Sequence, residues 1–200
     1  MNEQKEDEQP MFENLHHALT WAFAEAEKQF TGYSNTASIM RHCTQKGAGA
    51  STSPDDLSPQ EQKAQAIWVL DTVRMALNEF EQALIVLKYG QGSINFADAF
   101  VQVGLEYPKY DAHVVDLILC HVFEFDQTGR MWNHSGENNP DWKMYPAQTH
   151  IASVAGVHKK TAYNWCKAIR TDIENTLHRA EYVLLYEIKR KGLIKSKVAA

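Results

Sequence analysis

Eight residues between His158 and Arg170 carry the chemistry most open to interpretation: His158, Lys159, Lys160, Thr161, Tyr163, Asn164, Lys167 and Arg170, with no acidic residue among them. At helical spacing Ala162 and Trp165 make an apolar side, while His158, Lys159, Lys160, Tyr163, Asn164 and Lys167 fall on the opposite, exposed one. Such a face can bond nucleic acid. Asparagine pairs bidentately with an adenine edge, lysine bonds a guanine edge or a phosphate, and the remaining positions hold the helix against the backbone. These eight residues are the expected DNA-binding set. No catalytic set competes with them, because the chain lacks a Gly-rich phosphate loop, a nucleophile-elbow sequence and a tightly spaced metal cluster. It is read as a non-enzyme that takes no metal or cofactor.

The elements that must present this face run from Ala147 to Asp172, AQTHIASVAGVHKKTAYNWCKAIRTD. A first helix carries Ile151 and Ala152 and ends at Ala155. Gly156 then sits where the chain reverses and a positive φ is inexpensive only for glycine. Val157 plugs the angle between the helices, and the small Ala152 permits close approach. A helical hairpin with a solvated basic face is the plainer alternative.

The Ile-Ala, Gly-Val and Thr-Ala spacing resembles the helix-turn-helix of the sigma factor region-four family. Residues 75–90, MALNEFEQALIVLKYG, are similar to the helix preceding that motif, which ends in an aliphatic run, a basic residue, Tyr and Gly, here Leu84 to Gly90. Almost sixty residues separate Gly90 from Gln148, whereas the family keeps the two elements close. The resemblance covers roughly a fifth of the chain and implies a double-stranded DNA partner. Small regulators of this kind resemble phage-type late-gene regulators and antiterminators, which implies RNA polymerase as a further partner.

Charge distribution points the same way. From Gly156 to Ala200 ten bases face four acids, a net +6, whereas the other 155 residues carry −11, so the overall −5 conceals a basic end on an acidic body. An acidic body suits a basic protein partner better than phosphate. Cys43, Cys120 and Cys166 lie far apart without a C-x-x-C spacing, which argues against a disulfide scaffold and for a reducing compartment. The pairs His42-Cys43 and Cys120-His121, with His113, invite zinc. Neighbours on a helix point about 100° apart, however, so one pair does not readily supply two ligands to one ion. No apolar run approaches the ~20 residues that span a bilayer, and the acidic start MNEQKEDEQP is unlike a signal peptide. The expected location is cytoplasmic, on the nucleoid, with no membrane contact.

The expected fold is all-α: a multi-helix protein with a C-terminal helix-turn-helix and a long terminal helix. Its organisation reads as a disordered leader (1–10), an N-terminal helical segment (11–43), a flexible linker (44–57), a helical body (58–125), an aromatic-containing loop (126–146) and a helix-turn-helix with extended C-terminal helix (147–200). Phe12, Leu15, Leu19, Ala22, Phe23, Ala26 and Phe30 describe one amphipathic helix, and Ile39 with Met40 hints at a short one. Ser58-Pro59-Gln60-Glu61 is a capping box, followed by a stripe of Ala66, Ile67, Leu70, Val73, Arg74 and Leu77. Asn78 with Glu81 forms a second capping site. Phe96 to Leu105 and Val114 to Phe123 are further helices. The loop holds Met131, Trp132, Trp142, Met144 and Tyr145, and reads as an ordered cover or a partner surface.

From Ala162 the positions Cys166, Ile169, Ile173, Leu177, Ala180, Leu184 and Ile188 continue one stripe to the natural stop at Gly192. Thirty residues make about 45 Å of helix, so Tyr182, Val183, Leu185 and Tyr186 need cover from the N-terminal helix or from a second copy in a homodimer.

The function expected is a sequence-specific DNA-binding transcription regulator, phage or prophage encoded, acting with RNA polymerase in antitermination or late-gene activation. A small terminase-like DNA-packaging protein, built as a closed ring, and a helical protein-interaction module without DNA binding are the alternatives.

Overall fold

The structure, a computed structural model, describes residues 11–30, 54, 57–90, 93, 95–124 and 146–194. The 1–10 leader, the Ile39-Met40 helix, Cys43, most of the 44–57 linker, the loop aromatics and the 195–200 tail lie outside the described residues. The described residues are all-helical: α1 (Leu15–Phe30), α2 (Pro59–Ala76), α3 (Glu79–Tyr89), α4 (Phe96–Leu105), α5 (Ala112–Phe123), α6 (Gln148–Val154) and α7 (Lys159–Arg190). None is long and apolar enough to cross a membrane. The chain divides into two compact units, residues 1–76 with 181–200, and residues 77–180.

In the first unit α1 packs against α2. The Asn14 side chain accepts from the His17 amide and starts α1, so Phe12, which its spacing assigned to that helix, lies before it. Phe12 is fully buried because its backbone has another partner: its amide donates to the Leu193 carbonyl at 3.0 Å, forming an isolated bridge with Ile194. The segment before α1 thus meets the residues that follow α7.

The capping box of α2 forms. The Glu61 carboxylate accepts from the Ser58 amide and hydroxyl at 2.9 and 2.6 Å, and these bonds hold its carboxyl below the usual range. The buried face of α2 is Ala66, Val69, Thr72 and Val73. It is rotated from the expected stripe, leaving Ile67 and Arg74 exposed. Thr72 is polar yet buried because its hydroxyl donates to the Trp68 carbonyl at 2.7 Å and accepts from Lys191 Nζ at 2.6 Å. The same ammonium lies 5.6 Å over the Trp68 ring.

The second unit starts at the other capping box, where Asn78 Oδ1 accepts from the Glu81 amide at 2.9 Å and Glu81 Oε2 accepts from the Asn78 amide at 3.0 Å. Its aliphatic run Leu84, Ile85 and Leu87 is buried. Buried Glu81 also takes Arg179 of α7 at 2.9 Å, which stabilises a carboxylate that burial alone would penalise. Asp111 caps α5 through the His113 and Val114 amides. All eight stripe positions of α7, from Ala162 to Ile188, are buried, while Tyr182 and Tyr186 remain largely exposed.

Replacing Asn78 by Ala removes one half of the α3 capping box. The unfolding free energy is expected to fall by about 1 kcal/mol in urea titration, with Asn78→Asp retaining most of it.

Candidate nucleic-acid interface

The junction between α6 and α7 is fixed by backbone hydrogen bonds. The Val157 amide donates to the Ala152 carbonyl at 3.0 Å and the Gly156 amide to Ser153 at 3.3 Å, the paired bonds of a Schellman motif. This motif needs a left-handed residue, and Gly156 supplies it at φ 64. Ile151 and Ala152 are buried and Val157 is half-buried.

His158 then caps α7. Its carbonyl accepts from the Thr161 and Ala162 amides at 2.8 and 3.3 Å, and its Nδ1 accepts from the Lys160 amide at 3.2 Å. Lys159, Lys160, Tyr163, Asn164 and Lys167 are exposed, whereas Thr161 and Arg170 are half-buried.

At about 100° per residue, Thr161, Trp165 and Asp172 lie on one flank of the buried stripe and Tyr163 and Arg170 on the other. Both flanks are gripped. On the first, the buried Tyr107 hydroxyl donates to Asp172 Oδ2 at 2.9 Å. Burial, reinforced by that carboxylate, pushes the Tyr107 hydroxyl far above its usual value, so it stays a donor. On the same flank the Tyr110 and Trp165 rings meet at 5.2 Å. Trp165, expected on the apolar side, is therefore half-buried at its edge.

On the second flank the Arg170 guanidinium donates to the His121 carbonyl at 3.4 Å. The His121 ring in turn ties α5 to the start of α6. Its Nδ1 is 2.9 Å from the Pro146 carbonyl, an acceptor only, so Nδ1 carries the proton. Nε2 is left to accept from the Gln148 side-chain amide at 3.3 Å. Burial is the main cause that holds this imidazole below its usual value, with the Arg170 charge adding to it and the Pro146 bond opposing it.

Between the two flanks Lys160, Asn164, Lys167 and Thr171 share one exposed face, and the first acid after Ala147 is Asp172, already engaged by Tyr107. Lys160, Asn164 and Lys167 can donate to phosphate oxygens and base edges, and the sequence from Ala147 to Thr171 places no acid beside them. Sequence reading missed Tyr107, Tyr110 and His121, which act through partners 25 to 65 residues away. Among the described residues no group of three His, Cys, Asp or Glu side chains is placed to hold a metal ion. Cys120 and Cys166 are buried and outside any disulfide. Neither a protein-family model nor a curated protein nor a solved structure matches the chain.

His121 has a pH signature. Its folded-state pKa is depressed, so the neutral ring's contribution is fully present above the ordinary value of about 6.5 and is lost as pH falls below it toward the folded value. Against His121→Asn, the wild type's melting-temperature advantage is expected to shrink between pH 8 and pH 5. An advantage constant across that range contradicts the assigned neutral ring.

Proposed function

We propose that the chain is a sequence-specific, double-stranded-DNA-binding transcription regulator, with α6 and α7 as its helix-turn-helix and α7 as the recognition helix. His158, Lys159, Lys160, Thr161, Tyr163, Asn164, Lys167 and Arg170 make its DNA contacts. The observation that carries this reading is the acid-free exposed face of Lys160, Asn164 and Lys167, facing outward from a helix whose rotation is fixed on both sides.

Roles divide along the helix. Lys159 and Lys160 in the first turn meet phosphates or guanine edges, Asn164 one turn later reads an adenine edge, and Lys167 closes on the opposite backbone. Arg170 keeps further guanidinium donors for phosphate beside the one given to His121. The acidic remainder of the chain, net −11 outside residues 156–200, supports a contact with a basic surface of RNA polymerase. In that arrangement the recognition helix supplies an address, and the rest of the protein acts on the polymerase there, in antitermination or late-gene activation.

The test is selection of genomic fragments by the purified protein and by a Lys160→Glu, Asn164→Ala variant. Fragments beside promoters, lost in a variant with unchanged melting temperature, are the expected result. Enrichment at a single non-promoter site contradicts regulation and points to packaging. Equal or absent enrichment for both proteins contradicts DNA recognition through α7.

A further inference from the structure

An open groove of about 720 Å³ runs beside the turn between α6 and α7. From one side it is lined by Val154, Ala155 and Trp165, and from the other by the end of the α4–α5 connection, Lys109 and Tyr110, and the start of α5. These belong to a single compact unit. Lys109 is exposed, and its ammonium lies 4.8 Å over the Tyr110 ring, which itself rests on Trp165 at 5.2 Å. A chain of two ring contacts thus holds a cation against one flank of α7. Asp111, which also lines the groove, directs Oδ1 at the His113 and Val114 amides, 3.0 and 3.3 Å away. Its capping role ties that carboxylate to α5.

A helix lying in a major groove about 12 Å wide has a sugar–phosphate strand along each flank. A cation carried on a separate element against one flank therefore faces one of those strands, outside the reach of the helix's own side chains. We propose that Lys109 makes a second DNA contact, to a backbone phosphate flanking the recognition helix on its Thr161–Trp165 side. The inference rests on the reading of α7 as a recognition helix and adds to it a residue from the acidic body, about fifty positions upstream in the chain. Tyr110 is the positioning residue: its ring fixes the direction of the Lys109 stem and is fixed by Trp165. The contact supplies affinity and register rather than sequence discrimination, because phosphates look alike at every base pair.

The test measures affinity for a mixed-sequence duplex of about 30 base pairs over a salt series, for wild type, Lys109→Gln, Lys109→Arg and Lys160→Glu. Losing one phosphate contact lowers the slope of log affinity against log salt by about 0.9, so the affinity lost from 50 to 200 mM salt becomes about 3.5-fold smaller. Lys109→Gln is expected to show that reduced slope and weaker binding at low salt, with Lys109→Arg restoring both and melting temperatures unchanged. Wild-type slope and affinity in Lys109→Gln, with Lys160→Glu impaired, overturns the second contact and leaves the recognition helix standing. Insensitivity of both variants, or no binding by the wild type, overturns both.

Discussion

The buried stripe of α7 is the constraint on which the rest of the described structure depends. Ala162, Cys166, Ile169, Ile173, Leu177, Ala180, Leu184 and Ile188 step by three or four residues and are all buried. A line of inward side chains fixes the rotation of a helix about its axis, and with it the direction of every other residue on that helix. Lys160, Asn164 and Lys167 face outward because Ala162, Cys166 and Ile169 face inward. Tyr107 on Asp172 and His121 on Arg170 then narrow the remaining freedom from either side. Such preorganisation favours the proposed reading of base edges, since side chains that are already oriented lose less entropy on binding.

One backbone device is used twice. Gly156 and Gly192 both adopt positive φ, at 64 and 76, and both sit in Schellman motifs. At the first, Val157 returns its amide to Ala152, and the chain turns into the His158 cap. At the second, the Leu193 amide bonds Ile188 and the Leu193 carbonyl is presented to the Phe12 amide. The same local geometry therefore opens the long helix toward its exposed polar face at one end and closes it against the N-terminal segment at the other.

Much of this was legible in the sequence because it is local. Capping residues act on amides three positions away, apolar stripes repeat every three or four residues, and glycine stops depend on one dihedral. Hence the boundaries of α4, both capping boxes, the α7 stripe and the Gly192 stop agree with expectation. The face of α2 is rotated because its sequence admits two overlapping stripes, and Thr72 is buried by its bond to Lys191, 119 residues away. Phe12 fits the helical spacing of α1 but is drawn into a bridge with Ile194. Around the candidate interface the eight expected contact residues follow from one helical repeat, while Tyr107, Tyr110 and His121 carry no local signal. Their roles arise from tertiary pairing, which periodicity does not encode.

Charge gives the account its sharpest contrast. The net acidic chain carries one basic region, and that region holds two groups of cations: the start of α7, and the end of α7 with the residues after it, where Lys189, Arg190 and Lys191 cluster. Only the first combines cations with Asn164 on a fixed, exposed face. Ultraviolet cross-linking of the full-length protein to duplex DNA, followed by peptide mapping, separates the two most directly. The account predicts that DNA attaches within residues 158–170, at Tyr163 among them. Attachment confined to residues 189–197, with none in 158–170, contradicts it.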